Sequence, residues 1–154
     1  MLDRLKKFLQ DDDRAKQAAE KGVDEVQLGA AALLLEAAGR DGKLDPAERD
    51  KIESLIAARF GIGETEIERL LTQSEERLEN TNQILSFTRA IKDNLEHEER
   101  IEILEMLWEV VYADGTLHDY EANLMRRVAG LIYVTDRESG EARKRALSSL
   151  GLDQ

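Results

Sequence analysis

Residues 28–62 fall on residues 101–135 without a gap. Leu34 meets Leu107, Glu36 meets Glu109, Asp41-Gly42 meets Asp114-Gly115, Leu44 meets Leu117 and Glu48 meets Glu121. Core positions agree in type: Leu28 with Ile101, Leu33 with Met106, Ile52 with Met125, Leu55 with Val128, Phe60 with Tyr133. The shared pattern, E-x4-D-G-x-L-x3-E between two apolar helical stretches, constrains the fold more than any other feature of the chain. It calls for two similar helical hairpins, each reversing at an Asp-Gly pair, packed with approximate twofold symmetry. Both acidic turns are then expected at related places on the surface.

The remaining segments carry the same helical period. Leu2, Leu5, Phe8 and Leu9 space out a short amphipathic helix, and Asp11-Asp12-Asp13 reads as a solvated linker. Asp24 with Gln27 reads as a capping box opening a helix to about Gly39. Asp45 as N-cap, Pro46 at N1 and Glu48 at N3 open the next, which Gly61 and Gly63 end. Ile67, Leu70, Leu71, Ser74 and Leu78 line one face of a further helix, and Ile84, Phe87, Ile91 and Leu95 another. Glu98 and Glu99 lead into the strongest apolar helix, through Leu104, Leu107, Trp108 and Val111. Leu124, Met125, Val128 and Ile132 follow the second turn, and Thr135 with Glu138 caps the last helix. With one proline in 154 residues, nothing interrupts this pattern. The predicted fold is all-α, a single compact bundle of about seven helices built around the two hairpins. The predicted division is a short N-terminal helix and acidic linker over 1–20, then a helical domain over 21–152.

Charge and composition exclude several functions. Lys and Arg number 22 against 33 Asp and Glu, a net charge of -11. That balance repels phosphate backbones, and no basic stripe is interleaved with aromatics, so nucleic acid is not an expected partner. The chain has no cysteine, which removes disulfides, Fe–S clusters and thiol catalysis. The longest apolar run, Ala30 to Leu35, is far too short to span a bilayer. The N-terminal residues lack the features of a signal peptide, so a cytoplasmic protein is expected.

The acidic turns match positions 5 to 12 of an EF-hand loop, with Gly42 or Gly115 at the sharp turn and Glu48 or Glu121 at the bidentate position. The upstream half does not match: Ala37 and Gly39, then Val110 and Tyr112, stand where anionic ligands belong. A weaker divalent site, taking Ca²⁺ or Mg²⁺, draws on Glu36, Asp41 and Glu48 in one copy and Glu109, Asp114 and Glu121 in the other, because carboxylate clusters suit hard cations. The competing reading is structural: Glu48 belongs to a capping box, Gly42 to a helix end, and Leu44 and Leu117 plug the hairpins. His118 is a poor cap for Glu121, which favours a further role for that carboxylate.

No other constellation points to chemistry. His97 and His118 are far apart in sequence and fit neither H-x3-H nor HExxH spacing. Trp108 and Met106 read as core, Tyr112 and Tyr133 as core edge. There is no phosphate-binding glycine loop and no nucleophile elbow. An enzyme is not expected.

At the two Asp-Gly turns the sequence resembles the TerB-like family, named from tellurite-resistance operons. The resemblance rests on Leu34-Leu35-Glu36-Ala37-Ala38-Gly39-Arg40-Asp41-Gly42 and Leu107-Trp108-Glu109-Val110-Val111-Tyr112-Ala113-Asp114-Gly115, each followed by an acidic helix start. It covers roughly residues 25–150. Glu98-Glu99-Arg100 leading into Leu107-Trp108-Glu109 also resembles the family's stand-alone branch. The resemblance implies a bundle of about seven helices with acidic surface clusters, and metal binding or scaffolding in a bacterial stress response. The family's turn acids map onto Asp41, Glu48, Asp114 and Glu121; Glu36 and Glu109 are added by the repeat. The same domain type occurs beside J-domains, but this chain has no His-Pro-Asp motif. Arg40 stands where the second copy has Ala113, and its guanidinium can neutralise one carboxylate of the first turn.

The expected function is a non-enzymatic binding module whose acidic turns contact a divalent cation or a basic protein partner. The alternative is a peripheral membrane adaptor. In that reading Leu2, Leu5, Phe8 and Leu9, beside Arg4, Lys6 and Lys7, lie on a membrane surface. Docking of that segment on the bundle is the favoured reading of the same residues.

Overall fold

The computed structural model describes residues 13–38, 46–80, 84–113 and 117–152. Among them the chain forms seven helices and no strand: α1 (Asp13–Ala38), α2 (Pro46–Phe60), α3 (Glu64–Asn80), α4 (Ile84–Asn94), α5 (His97–Val111), α6 (Asp119–Leu131) and α7 (Asp136–Ser149). They form a compact bundle, as the periodicity predicts. The segment carrying Leu2 to Leu9 lies outside the described residues.

Two helices make the centre, and the sequence marks both. A helix that is apolar on every side must be covered on every side. Ala30, Ala31, Ala32, Leu33, Leu34 and Leu35 are six consecutive buried residues in α1. Accordingly α1 packs against α2, α3, α4 and α5. In α5 the run Met106-Leu107-Trp108-Glu109-Val110-Val111 is buried in the same way, and α5 packs against α1, α2, α6 and α7. The small residues of α1 allow close approach. A Cβ placed on Gly29 would stand 2.9 Å from the Phe87 carbonyl oxygen of α4, so only glycine fits at that crossing.

The two repeat copies fold alike. Ala38 closes α1, and its repeat mate Val111 closes α5. Pro46 opens α2, and its mate Asp119 opens α6. In each copy the third helix, α3 or α7, packs on the first helix of its own copy. Side chains cross between copies reciprocally as well. Glu36 of α1 accepts from the Tyr120 hydroxyl of α6 at 2.5 Å. Its mate Glu109 of α5 reaches Arg59 at 3.6 Å and Lys51 at 3.9 Å, both on α2. Each first helix thus engages the second helix of the opposite copy.

The helix ends follow local chemistry. Thr135 and Glu138 form the expected capping box: the Glu138 amide donates to Thr135 Oγ1 at 3.1 Å, and the Thr135 amide to Glu138 Oε1 at 3.0 Å. Gly61, at φ 65, ends α2. The end of α6 is a Schellman motif, with Val134 N bonded to Ala129 O and Tyr133 N to Gly130 O. The residue it holds at φ 58 is Tyr133, where glycine is the usual choice. Arg100 caps the same end by donating to the Ile132 carbonyl at 2.9 Å.

Two expectations are corrected. The helix assigned a start at Asp24 begins at Asp13 and runs through residues 20–27 unbroken. Without a proline nothing stops propagation, and a single helical glycine such as Gly22 costs only about 1 kcal/mol. The boundary drawn between residues 20 and 21 therefore falls inside α1. Tyr133 is not at the core edge but 66% exposed, because its left-handed backbone turns the side chain away from the face that carries Ile132 and Val128. Tyr112 is buried and stacks on Trp108 with centroids 5.9 Å apart.

Candidate functional site

The acidic turns lie on segments whose flanking helix ends can be located. Along the contact between α2 and α5, Lys51 faces Glu109 and Arg59 faces Glu105. Arg59 also reaches Glu109, at 3.6 Å, but its closer partner is Glu105, so residue numbers rise on one helix as they fall on the other and the two cross in an antiparallel sense. The start of α2, which follows the first turn, therefore lies beside the end of α5, which precedes the second. The Glu36–Tyr120 bond joins the end of α1, before the first turn, to the start of α6, after the second. All four helix ends that flank the two turns gather at one end of the bundle. The turn residues Asp41 and Asp114 themselves lie outside the described residues.

Of the described carboxylates of the expected set, Glu36, Glu109 and Glu121 have separate partners. Glu121 occupies N3 of α6 and accepts from the His118 amide at 3.0 Å. It thus caps its helix despite the unusual N-cap residue. Glu48 occupies N3 of α2, half-buried. Glu36 is half-buried and bonded to Tyr120. Glu109 is buried, with 5% of its side chain exposed, and is held by Arg59, by Lys51 and by the Ser149 hydroxyl at 3.1 Å. Among the described residues no group of three or more His, Asp or Glu side chains is arranged to hold a metal ion. A cation at this end of the bundle would have to draw on Asp41 and Asp114.

Glu109 belongs instead to a line of ion pairs that ties three helices. Arg59 of α2 reaches Glu105 of α5 at 3.0 Å, and Arg145 of α7 reaches the other oxygen of Glu105 at 2.5 Å. Burying a carboxylate demands such partners, because an unpaired charge away from water costs several kcal/mol. Neither Arg59 nor Arg145 carries a periodicity signal. The glutamate within the apolar run Leu107-Trp108-Glu109-Val110-Val111 does: a charge there announces a buried pair.

The histidines have structural settings too. His97 Nε2 lies 2.5 Å from Glu138 Oε2 and joins the start of α5 to the start of α7. The Glu138 carboxyl is held down to about 2, first by the Thr135 amide and then by the His97 and Thr135 side chains.

Beside the gathered helix ends lies an open groove of about 320 Å³. Glu36, Ile84 and the α6 residues Tyr120, Asn123, Leu124 and Arg127 line it. The α6 residues share one face, at i, i+3, i+4 and i+7. Leu124 is buried and Tyr120 is 40% exposed. Tyr120 and Arg127 give no signal in the sequence, because an exposed tyrosine and arginine on a polar face carry no pattern of their own.

No curated protein and no solved structure was found to match the chain. Residues 27–144 match the family described as tellurite resistance protein TerB. That match covers most of the chain, from the middle of α1 to the middle of α7, and includes both copies of the repeat. The chain belongs to the TerB family.

Proposed function

We propose that this protein is a non-enzymatic binding module of the TerB type. In this reading it acts in the cytoplasm in a bacterial stress response, and its two acidic turns work together as one pole that receives a divalent cation or a basic protein partner. The observation that carries the reading is the gathering of the four flanking helix ends at one end of the bundle. Two matching acidic turns rooted side by side offer a ligand more negative potential than two turns at opposite ends. The stretch Glu98-Glu99-Arg100 before Leu107-Trp108-Glu109 supports placing the chain in the stand-alone branch of the family.

Melting of the full chain with Ca²⁺ or Mg²⁺ tests the cation version. A ligand present at a hundredfold excess over its dissociation constant stabilises by about 2.7 kcal/mol. A rise in Tm that disappears in the Asp41→Asn/Asp114→Asn double variant is the expected result. No rise at millimolar metal removes the cation version and leaves the basic protein partner, whose binding should weaken in the same double variant.

A further inference from the structure

We propose that the groove between α6 and the ends of α1 and α4 is a docking site for an extended peptide segment of a partner protein. The segment carries a basic residue, an apolar residue and an acidic residue in that spatial order. The groove is dipolar. At one end is the Glu36 carboxylate, of which Tyr120 engages Oε1; a carboxylate has further acceptor capacity for a partner's ammonium or guanidinium. At the other end is Arg127, exposed on α6. Among the described residues no carboxylate pairs with Arg127, although the chain carries 33 acidic residues. The floor between them is apolar, from Leu124, only 6% exposed, and half-buried Ile84.

The spacing sets the peptide. Tyr120 and Arg127 stand two turns apart on α6, about 10 Å at 1.5 Å per residue. An extended chain rises about 3.3 Å per residue and turns successive side chains to opposite faces, so the basic, apolar and acidic residues stand at alternate positions, the first and last four apart and about 13 Å from each other, with the apolar side chain between them on the same face. The volume admits that side chain and the flanking backbone but not a second helix about 10 Å across. Exposed Tyr120 supplies a rigid amphipathic wall, as is common where peptides are gripped. This inference goes beyond the acidic pole, because it uses neither turn aspartate.

Fluorescence anisotropy in EDTA tests it on the full chain. The probe is a labelled peptide with a lysine-alanine-leucine-alanine-glutamate core between glycine-serine flanks. Saturable binding to the wild type is expected, lost when the peptide leucine becomes serine and weakened about tenfold by Arg127→Glu. A peptide with lysine in place of its glutamate should regain binding to the Arg127→Glu variant, which a misfolded variant could not show. The Asp41→Asn/Asp114→Asn double variant should bind the original peptide like the wild type. Absence of saturable binding at millimolar protein, or an Arg127→Glu variant that binds as the wild type does, overturns the proposal. Loss of binding in the double aspartate variant alone also overturns it, while leaving the acidic pole standing.

Discussion

Arg59 is the residue whose loss should cost the bundle most among its charged side chains. It holds Glu105 at 3.0 Å and Glu109 at 3.6 Å, and only 18% of its side chain is exposed. Replacement by methionine keeps an apolar stem in place while removing the charge. Breaking a buried pair by removing one partner typically costs about 3–5 kcal/mol. Here the loss is softened. Glu105 keeps Arg145, and Glu109 keeps Lys51 at 3.9 Å and the Ser149 hydroxyl. We expect a loss of about 2 kcal/mol, or roughly 6 °C in Tm for a domain of this size. The control is Arg49→Met. Arg49 pairs with Glu75, half exposed, and with Glu53 one turn away, and such surface pairs are worth about 0.5 kcal/mol. Urea unfolding at low and high salt measures both. The Arg59 effect should persist in salt, whereas the Arg49 effect should fade. If Arg59→Met costs no more than Arg49→Met, Glu109 is not held as a buried structural charge and the distinction drawn between it and Glu36 fails.

Three further substitutions test the packing and the caps. Gly29→Ala places a methyl group 2.9 Å from the Phe87 carbonyl oxygen. Overpacking of about 1–3 kcal/mol should exceed the gain of about 1 kcal/mol in helix propensity, so denaturant unfolding should show net destabilisation. Tyr133→Gly relieves a left-handed residue at φ 58 while losing the Lys92 contact over its ring, and should stabilise by a net of about 0.5 kcal/mol, a rise in Tm of about 1–2 °C. Glu138→Gln keeps a side chain able to cap but removes its charge. The Glu138 carboxyl titrates at about 2 in the folded chain against 4.5 for an ordinary glutamate. Its contribution is therefore fully present above pH 4.5 and disappears as the pH falls through about 2. The gap in Tm between wild type and variant should be open at pH 6 and closed near pH 2.

What could be read in the sequence was what is local or repeated. The Asp-Gly repeat placed the ends of α1, α2, α5 and α6 at equivalent positions, and Thr135 with Glu138 marked the start of α7. Burial of Trp108 and Met106 follows from their place in the strongest apolar helix, beside Leu104, Leu107 and Val111. What was hidden depends on contacts between distant residues. Glu36 and Glu109 are identical in the repeat alignment, yet one meets a tyrosine hydroxyl and the other a pair of cations, because the second helices α2 and α6 differ at the facing positions. The left-handed backbone of Tyr133 follows from the Schellman bonds around it, which its apolar repeat mate Phe60 does not foreshadow. Asp24 and Gln27 satisfy the letters of a capping box within a continuous helix, so the true start of α1 at Asp13 is not legible from them.

The two acidic turns should rise from the same end of the bundle. The chain has no cysteine, so Lys43→Cys and Thr116→Cys place one spin label in each turn without background. Turns rooted side by side should give a label-to-label distance within about 20 Å, below the roughly 22 Å length of a single fifteen-residue helix such as α2 or α5. A distance of about 30 Å or more would put the turns at opposite ends and rule out a shared acidic pole.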